Sequence, residues 1–431
     1  MNGIRQVRGK TWFWELGAAV IDADRCIQCG ACVAVCPSDS IGVGENGLPM
    51  LVKMCTGCSL CWDFCPRGGL RYEASWPEEP ELPLPSLKAS SVTCEPSGAQ
   101  ARPADPLTAS RQPAEPIAST TDDGRIRGGK GQGLGVVRHS YTTRSRSELP
   151  HIQDGGVVTE LLIANLEAGT IDGALVARPS DAEKWKGIPH LATTAEEILE
   201  CGGSFYNQTM ALAHLDLAGY DLPPEPHLAV VGTPCEVEAL RAIQAQPWWR
   251  GSSKIDAVVL SIALLCTKSF DYQGLMLREL RDERGLDLDV VDRVDVLHGK
   301  LIVSDDQGRE LVREPIKNFH GAALKGCDEC ADFLGRGADI SVGSVGSPDG
   351  WSSVLVRTPA GAQAFDLAAP RLEIADLERP EALAKLDAHD RQTALATLRR
   401  DFNPDGPLFW SYEEHVAAYT GSDRAPVVRQ S

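Results

Sequence analysis

The chain has 431 residues and a formal net charge of -18, so it has room for two or three domains and is too acidic for nucleic acid to be the expected main partner. Its longest apolar run, residues 257–266, is about half of the roughly 20 residues that a membrane-spanning helix needs. No signal-peptide pattern opens the sequence, so we expect a cytoplasmic protein in which the 14 cysteines indicate metal binding rather than disulfides.

Residues 1–75 contain two cysteine runs of the form C-x2-C-x2-C-x3-C-P, which is the pattern of bacterial-type two-cluster ferredoxins. The runs are Cys26, Cys29, Cys32 and Cys36 before Pro37, and Cys55, Cys58, Cys61 and Cys65 before Pro66. In this pattern the fourth cysteine of each run binds the other run's 4Fe–4S cluster. The predicted ligand sets are therefore Cys26, Cys29, Cys32 with Cys65, and Cys55, Cys58, Cys61 with Cys36.

Zinc is the alternative for these cysteines, but zinc sites usually use two separated CxxC pairs rather than three closely spaced cysteines and C-P. Gly30 and Gly57 lie inside the runs. We expect them to relieve crowding where backbone N–H groups approach the inorganic sulfur.

Residues 76–125 hold nine of the 28 prolines and show no sustained helical or strand period, which predicts a flexible linker. Cys94 lies within it and is expected to have no role.

From residue 126 to about 370 the pattern alternates between helices and short apolar strands, which predicts an α/β domain with a mixed or mostly parallel sheet. The predicted helices cover residues 157–166 and 236–244, and the predicted strands cover residues 174–177, 228–231, 257–266, 301–304 and about 340–345. Residues 371–431 are charged and helix-prone, and we expect a helical extension of little functional importance there.

Four cysteines of the α/β region could bind one further cubane cluster. Cys327 and Cys330 form a CxxC, while Cys235 and Cys266 lie at the carboxyl ends of predicted strands. The alternatives are a redox-active dithiol at the CxxC and buried structural thiols at the other two positions. Cys201 stays unassigned.

Two glycine-rich turns are candidate phosphate-binding loops, although either could be an ordinary surface turn. Gly155 and Gly156 precede a predicted helix, where backbone N–H groups and the helix dipole favour an anion. The second turn covers residues 343–350. The sequence has no G-x-G-x-x-G opening the α/β region and no Walker-type motif, so neither a Rossmann nor a P-loop site is predicted.

Seven segments of residues 126–370, in consecutive order, resemble the beta-subunit family of coenzyme F-420-reducing hydrogenases and dehydrogenases. They are DGGVVTELL (154–162), AGTIDGALV (168–176), LATTAEEILECGGSFYNQTM (191–210), VVGTPCEVEALR (230–241), LLCTKSF (264–270), GCDECADF (326–333) and ADISVGSVGSPDGWSSVLVRT (338–358). Formate dehydrogenase beta subunits of methanogens, F-420H2 dehydrogenase input subunits and (bacterio)chlorophyll-type reductases are similar as well.

The resemblance implies a non-Rossmann α/β fold that binds FAD and a third 4Fe–4S cluster. It implies that Cys235, Cys266, Cys327 and Cys330 bind this cluster. The residues near the flavin would be Gly155, Gly156, Thr159, Ser204, Gly343 and Gly346. The chain departs from the family at Asp154, where members commonly have a small residue.

The function implied is an oxidoreductase that exchanges hydride with coenzyme F-420 and passes electrons through FAD and three clusters. The electrons would go to or come from a partner redox subunit, such as a hydrogenase or formate dehydrogenase, or ferredoxin. No residue is predicted to act as an acid–base catalyst. The alternatives are a ferredoxin-dependent reductase of a tetrapyrrole or other organic substrate, and a non-enzymatic electron-transfer subunit.

Overall fold

A computed structural model describes residues 9–71, 133–246, 252–399 and 409–428. The predicted linker, including Cys94, lies outside the described residues. Among those that are described, no helix combines the length and the apolar character needed to cross a membrane.

The N-terminal module, residues 9–71, is built from very short elements around the two cysteine runs. Helices α1 (Phe13–Leu16), α2 (Ala31–Ala34) and α3 (Leu60–Asp63) accompany one hairpin of β1 (Ile41–Val43) and β2 (Pro49–Leu51). Both α2 and α3 begin directly after a residue with positive φ, Gly30 at 81° and Ser59 at 71°. The cysteine loops therefore reverse the chain sharply just before each short helix.

The large domain has eleven described strands, eight of which form one mixed sheet. Its strands are β3 (His139–Ser145), β4 (Gly173–Pro179), β5 (Gly187–Ala192), β6 (Leu228–Gly232), β7 (Val258–Leu264), β8 (Arg293–Leu297), β9 (Lys300–Ser304), β10 (Glu310–Pro315), β11 (Ile340–Gly343), β12 (Ser352–Val356) and β13 (Leu372–Asp376). The sheet order is β13-β3-β12-β11-β7-β6-β4-β5, and β11, β7, β6 and β4 are parallel. The predicted mixed α/β architecture is confirmed.

The predicted helices and strands are present with small changes at their ends. Helix α4 (Val157–Glu167) matches its prediction closely, whereas α6 (Pro234–Gln244) begins two residues earlier than expected. Thr233 and Glu236 form a capping box there, and Pro234 occupies the first turn, where its missing N–H costs nothing. Cys235 consequently lies within the first helical turn rather than in the preceding loop.

Helices cover both faces of the large sheet. Helices α4, α5 (Ala195–Glu200) and α7 (Pro359–Ala368) pack on one face, while α6 packs on the other. Side chains alternate between the two faces along a strand, so one strand contributes to the apolar core on each face of the sheet. In β6, Leu228 and Val230 point to the α6 face, and Ala229 points to the opposite face.

The N-terminal module packs on the α6 face and shares its core. Ile27, Ala31 and Phe64 of the module belong to the same buried cluster as Leu240 and Ile243 of α6. The module and the sheet therefore share a continuous apolar interior.

A second, smaller sheet stands beside the large one. Strands β8, β9 and β10 form an antiparallel meander, against which a π-helix, Gln273–Glu283, buries Leu275 and Leu280. Phe319 fills the centre of this cluster.

The C-terminal region extends both the large sheet and the module. Strand β13 pairs with β3, so the sheet continues beyond the predicted domain end at residue 370. Helix α8 (Pro380–Thr397) follows, and helix α9 (Tyr412–Tyr419) lies against the module. The N–H of Trp410 donates to the Gly69 carbonyl at 2.8 Å, and Trp62 Nε1 donates to the Trp410 carbonyl at 2.8 Å.

Candidate redox site

The structure places the cysteines of the module close to one another. Burial raises the pKa of Cys32, and the nearby charges of Cys29, Cys26, Cys65 and Cys61 raise it further. Burial also raises the pKa of Cys61, with the charges of Cys58, Cys55, Cys36 and Cys65 adding to it. The division into two sets of four stays a prediction. We call the set of Cys26, Cys29, Cys32 and Cys65 the first thiol group and the set of Cys55, Cys58, Cys61 and Cys36 the second thiol group.

Backbone N–H groups point at the sulfur atoms of both groups. Gln28 N lies 3.4 Å from Cys26 Sγ, Gly57 N lies 3.4 Å from Cys55 Sγ, and Ser40 N lies 3.2 Å from Cys36 Sγ. Such donors stabilise thiolates and the added negative charge of a reduced cluster. All 13 described cysteines are free thiols, so none is committed to a disulfide.

Gly30 and Gly57 are required for close contact with other parts of the protein. Both have positive φ, and a Cβ on Gly30 would lie 2.5 Å from Ala213 N. A Cβ on Gly57 would lie 2.9 Å from the Trp12 ring. Backbone and indole atoms of the chain itself therefore crowd these two positions, and additional crowding by inorganic sulfur stays a prediction.

Four cysteines form a third thiol group at the carboxyl ends of two adjacent parallel strands. Cys235 follows β6, Cys266 follows β7, and Cys327 and Cys330 lie in the loop 325–330. Burial raises the pKa of Cys235, with Cys330 adding to it, and burial raises the pKa of Cys266, with Cys327 and Cys330 adding to it. The candidate third-cluster ligands therefore lie together.

Polar groups also surround the third thiol group. Ser269 N approaches Cys327 Sγ at 3.4 Å, and Thr233 Oγ1 lies 3.1 Å from Cys235 Sγ. Within the described ranges, no three His, Cys, Asp or Glu side chains converge closely enough for a single metal ion. In a 4Fe–4S cluster each of the four thiols binds a different iron, so the thiols do not have to converge on one point. The donor set therefore fits a 4Fe–4S cluster.

The first and third thiol groups are neighbours across the contact between module and large domain. The charge of Cys29 contributes to raising the pKa of Cys235, after burial, Cys330 and Glu236. The backbones also meet here, because a Cβ on Gly326 would lie only 2.2 Å from the Arg25 carbonyl. The CxxC loop is thus pressed directly against the start of the first cysteine run.

A buried ion pair joins these two loops. Arg25 donates from Nε and Nη2 to the two carboxylate oxygens of Glu329, both at 2.7 Å, and neither side chain is exposed. Arg424 Nη1 also donates to Glu329, at 2.9 Å. Burial by itself would lower the pKa of Arg25, but its hydrogen bonds and attraction to Glu329 more than compensate, so that the pKa is raised and the guanidinium stays charged.

Aromatic side chains of α9 complete this contact. Tyr419 lies beneath the Arg25 guanidinium, 4.5 Å from ring centroid to Cζ, and stacks on His415 at 4.4 Å. Helix α9 therefore covers the contact between the first and third thiol groups, while the expectation of little functional importance for residues 371–431 stays a prediction. The only signal in the sequence was the position of Arg25 and Glu329 beside cysteines of the motifs.

The candidate flavin residues lie along the same sheet edge as the third thiol group. Gly155, Gly156 and Thr159 come after β3. Gly343 is the last residue of β11 and Gly346 follows it, and β11 runs in the same direction as β3. The loop of Ser204 packs on the loop after β3, since a Cβ on Gly202 would lie 3.1 Å from two of its carbonyls. Carboxyl ends of parallel strands are the usual ligand-binding edge of an open α/β sheet.

Three of the candidate glycines are also needed for internal packing. A Cβ on Gly155 would lie 2.6 Å from the Thr143 carbonyl, and the Gly155 N–H donates to Ser352 Oγ at 3.2 Å. A Cβ on Gly343 would lie 2.7 Å from the Leu265 side chain, and Gly346 approaches Ser353 Oγ. Helix α4, in contrast, directly follows Gly156 and has no side-chain cap, so its amino end fits an anionic group.

Asp154 lies in an acidic corner beside these loops. Burial, together with the charges of Asp295 and Asp349, raises the pKa of Asp154 to about 6, although Arg293 opposes the shift. Tyr206 accepts the Val296 N–H at 2.9 Å nearby. Ser204 and Tyr206 also line a small pocket beside Val294 of β8.

Comparisons with known proteins cover both parts of the chain. The family models for the coenzyme F-420 hydrogenase/dehydrogenase beta subunit match at residues 140–216 (N-term) and 226–380 (C terminus), and a 4Fe-4S dicluster domain matches at residues 19–71. The coenzyme F-420 hydrogenase subunit beta of Methanothermobacter thermautotrophicus is 35% identical over 53% of this chain and 80% of its own length.

Two longer relatives match over most of this chain at lower identity. A subunit of the F-420H2 dehydrogenase of Methanosarcina mazei is 28% identical over 86% of this chain and 90% of its own length. The coenzyme F-420-dependent sulfite reductase of Methanocaldococcus jannaschii is 28% identical over 92% of this chain but only 54% of its own length. Among solved structures, a chain of the F-420-reducing NiFe hydrogenase complex from Methanosarcina barkeri has a TM-score of 0.57 and 31% identity, covering 62% of this chain and 92% of that chain.

Proposed function

Because the chain belongs to the coenzyme F-420 hydrogenase/dehydrogenase beta-subunit family, we propose that it is an iron–sulfur flavoprotein oxidoreductase. It transfers electrons between coenzyme F-420, as a hydride donor or acceptor, and a one-electron partner. The partner is a catalytic redox subunit, such as a hydrogenase or formate dehydrogenase, or ferredoxin.

The observation that carries this proposal is the order of the three thiol groups. The third lies on the sheet edge with the candidate flavin residues, the first touches it across the Arg25–Glu329 contact, and the second follows within the module. Cys58 of the second group is exposed. The thiols therefore lead from the interior of the large domain to the surface of the module.

The residues assigned to each cofactor follow from this order. Each thiol group holds one 4Fe–4S cluster, and the loops of Gly155, Ser204 and Gly343 together with the amino end of α4 hold FAD. When bound, FAD exchanges hydride with a deazaflavin and single electrons with the clusters. The chain's contribution is to bury the thiols, to supply N–H groups to their sulfur atoms and to keep the groups adjacent.

Electrons are exchanged with a protein partner at the second thiol group. Besides Cys58, the module exposes 85% of Met54, 56% of Val52 and 53% of Trp14. Exposed apolar side chains next to a cluster give a partner protein a surface to bind.

The test is an anaerobic preparation that contains FAD and about twelve irons per chain, mixed with reduced F-420 and a viologen dye. We expect rapid reoxidation of the deazaflavin only when FAD is bound, and the absorbance of the deazaflavin monitors this reaction. A flavin-depleted sample restored by added FAD is the matched control. A fully loaded preparation that leaves the deazaflavin reduced would contradict the proposal and favour the organic-substrate reductase. A preparation that holds no flavin would favour a plain electron carrier.

A further inference from the structure

Arg67 is a fully buried cation whose side chain joins the first thiol group to the third. It stands two residues after Cys65, and its Nε donates to the carbonyl of Gly326 at 2.6 Å. Gly326 directly precedes Cys327. The guanidinium therefore extends from the loop of one cysteine motif to the loop of another.

The position of the Arg67 guanidinium is fixed by backbone on both sides. Its Nη1 donates to the Pro66 carbonyl at 3.0 Å, and the Arg67 carbonyl itself accepts Nη2 of Arg25 at 3.0 Å. Arg25 is held in turn by Glu329. A charge held this way keeps its distance to both thiol groups constant.

The Arg67 guanidinium lies beside the loops of the first and third groups and away from the second. Arg67 stands two residues after Cys65 of the first group, and its Nε donates to the carbonyl of the residue directly before Cys327 of the third. The cysteines of the second group, Cys36, Cys55, Cys58 and Cys61, line a separate pocket whose walls do not include Arg67. The cation is thus placed between two of the three groups.

We propose, resting on the proposed function, that Arg67 sets the reduction potentials of the clusters held by the first and third thiol groups jointly. A fixed positive charge between two sites favours the more negatively charged, reduced state of each. It also screens the repulsion that one reduced site exerts on the other. Arg67 acts here through its charge, so it is a positioning residue rather than a catalytic one.

The experiment compares Arg67→Gln, which removes the charge, with Arg67→Lys, which keeps it. Redox titrations of the anaerobic full chain are followed by electron paramagnetic resonance, which resolves the three clusters. In Arg67→Gln we expect the potentials of two clusters to shift downward together while the potential of the third stays in place. In Arg67→Lys all three potentials stay close to those of the parent chain.

Iron content keeps the test decisive if Arg67→Gln binds its clusters poorly. Loss of iron from the first and third groups in Arg67→Gln, with full iron in Arg67→Lys, supports the need for a positive charge between them. Equal potentials in the Gln variant and the parent, or equal iron loss in both variants, would overturn the proposal. Failure of the parent chain to oxidise reduced F-420 would instead count against the proposed function, and the potentials would still decide the role of Arg67.

Discussion

The Arg25–Glu329 pair offers the sharpest test of how the module is held on the large domain. Glu329→Gln keeps the shape of the side chain but removes its charge, which leaves the buried Arg25 guanidinium without that carboxylate. Breaking a buried pair by removing one charge costs about 3–5 kcal/mol, because the remaining charge is no longer compensated in a medium that solvates it poorly. The same change also weakens the contact of Glu329 with Arg424.

The cost should appear as more frequent opening of the module. At about 1.36 kcal/mol for each factor of ten, 3–5 kcal/mol corresponds to roughly 100- to 5,000-fold faster exchange of protected amide hydrogens. Hydrogen exchange followed by mass spectrometry on residues 9–71 measures this, after iron analysis has shown that the clusters are retained. Hydrogen exchange is a better measure than a single melting temperature, because metal-containing proteins often unfold in more than one step.

The matched control is Glu373→Gln. Arg144 and Glu373 lie 2.8 Å apart, close to the 2.7 Å of Arg25 and Glu329, but their side chains are 46% and 37% exposed. Exposed pairs contribute about 0–1 kcal/mol, so exchange should change by less than about fivefold. Equal effects of the two substitutions, or less than a tenfold change in Glu329→Gln, would refute the reasoning that burial makes this pair important.

Three further predictions follow from the site and its packing. The Cys235→Ala variant should lose about one third of the iron, while the paramagnetic resonance signals of the two module clusters persist. The control, Cys201→Ala, should lose no iron. Unchanged iron content in Cys235→Ala would contradict a third cluster. Gly326→Ala places a Cβ 2.2 Å from the Arg25 carbonyl and should cost about 1–3 kcal/mol, seen as a lower denaturant midpoint, whereas Gly321→Ala meets no atom within 4 Å and should change little. Because the pKa of Asp154 is raised to about 6 in the folded chain, folding favours the protonated carboxyl and stability falls as pH rises from about 4 through 6. Asp154→Asn should therefore be more stable than the parent by roughly 1–3 kcal/mol at about pH 8 and equal to it below about pH 4; equal unfolding midpoints at about pH 8 would count against a raised pKa.

Features that depend on near neighbours in the chain could be predicted from the sequence. The cysteine spacing predicted two thiol sets, because three cysteines two residues apart wrap a tight loop that a partner at the fourth position closes. Helical periodicity predicted α4 almost to its ends, and the apolar runs predicted β6 and β7. The early start of α6 followed from a capping box and a proline that are also visible locally.

Tertiary structure alone decided what stands between the thiol groups. Arg25 and Glu329 are 304 residues apart in sequence, and Arg67 and Gly326 are 259 apart, so no local pattern relates them. They meet because β6 and β7 are adjacent and end at one edge, and because the module buries Ile27 and Phe64 in the core of α6. The electrostatic energy of a buried charge depends on the groups that surround it in space, and those groups come together only when the chain folds.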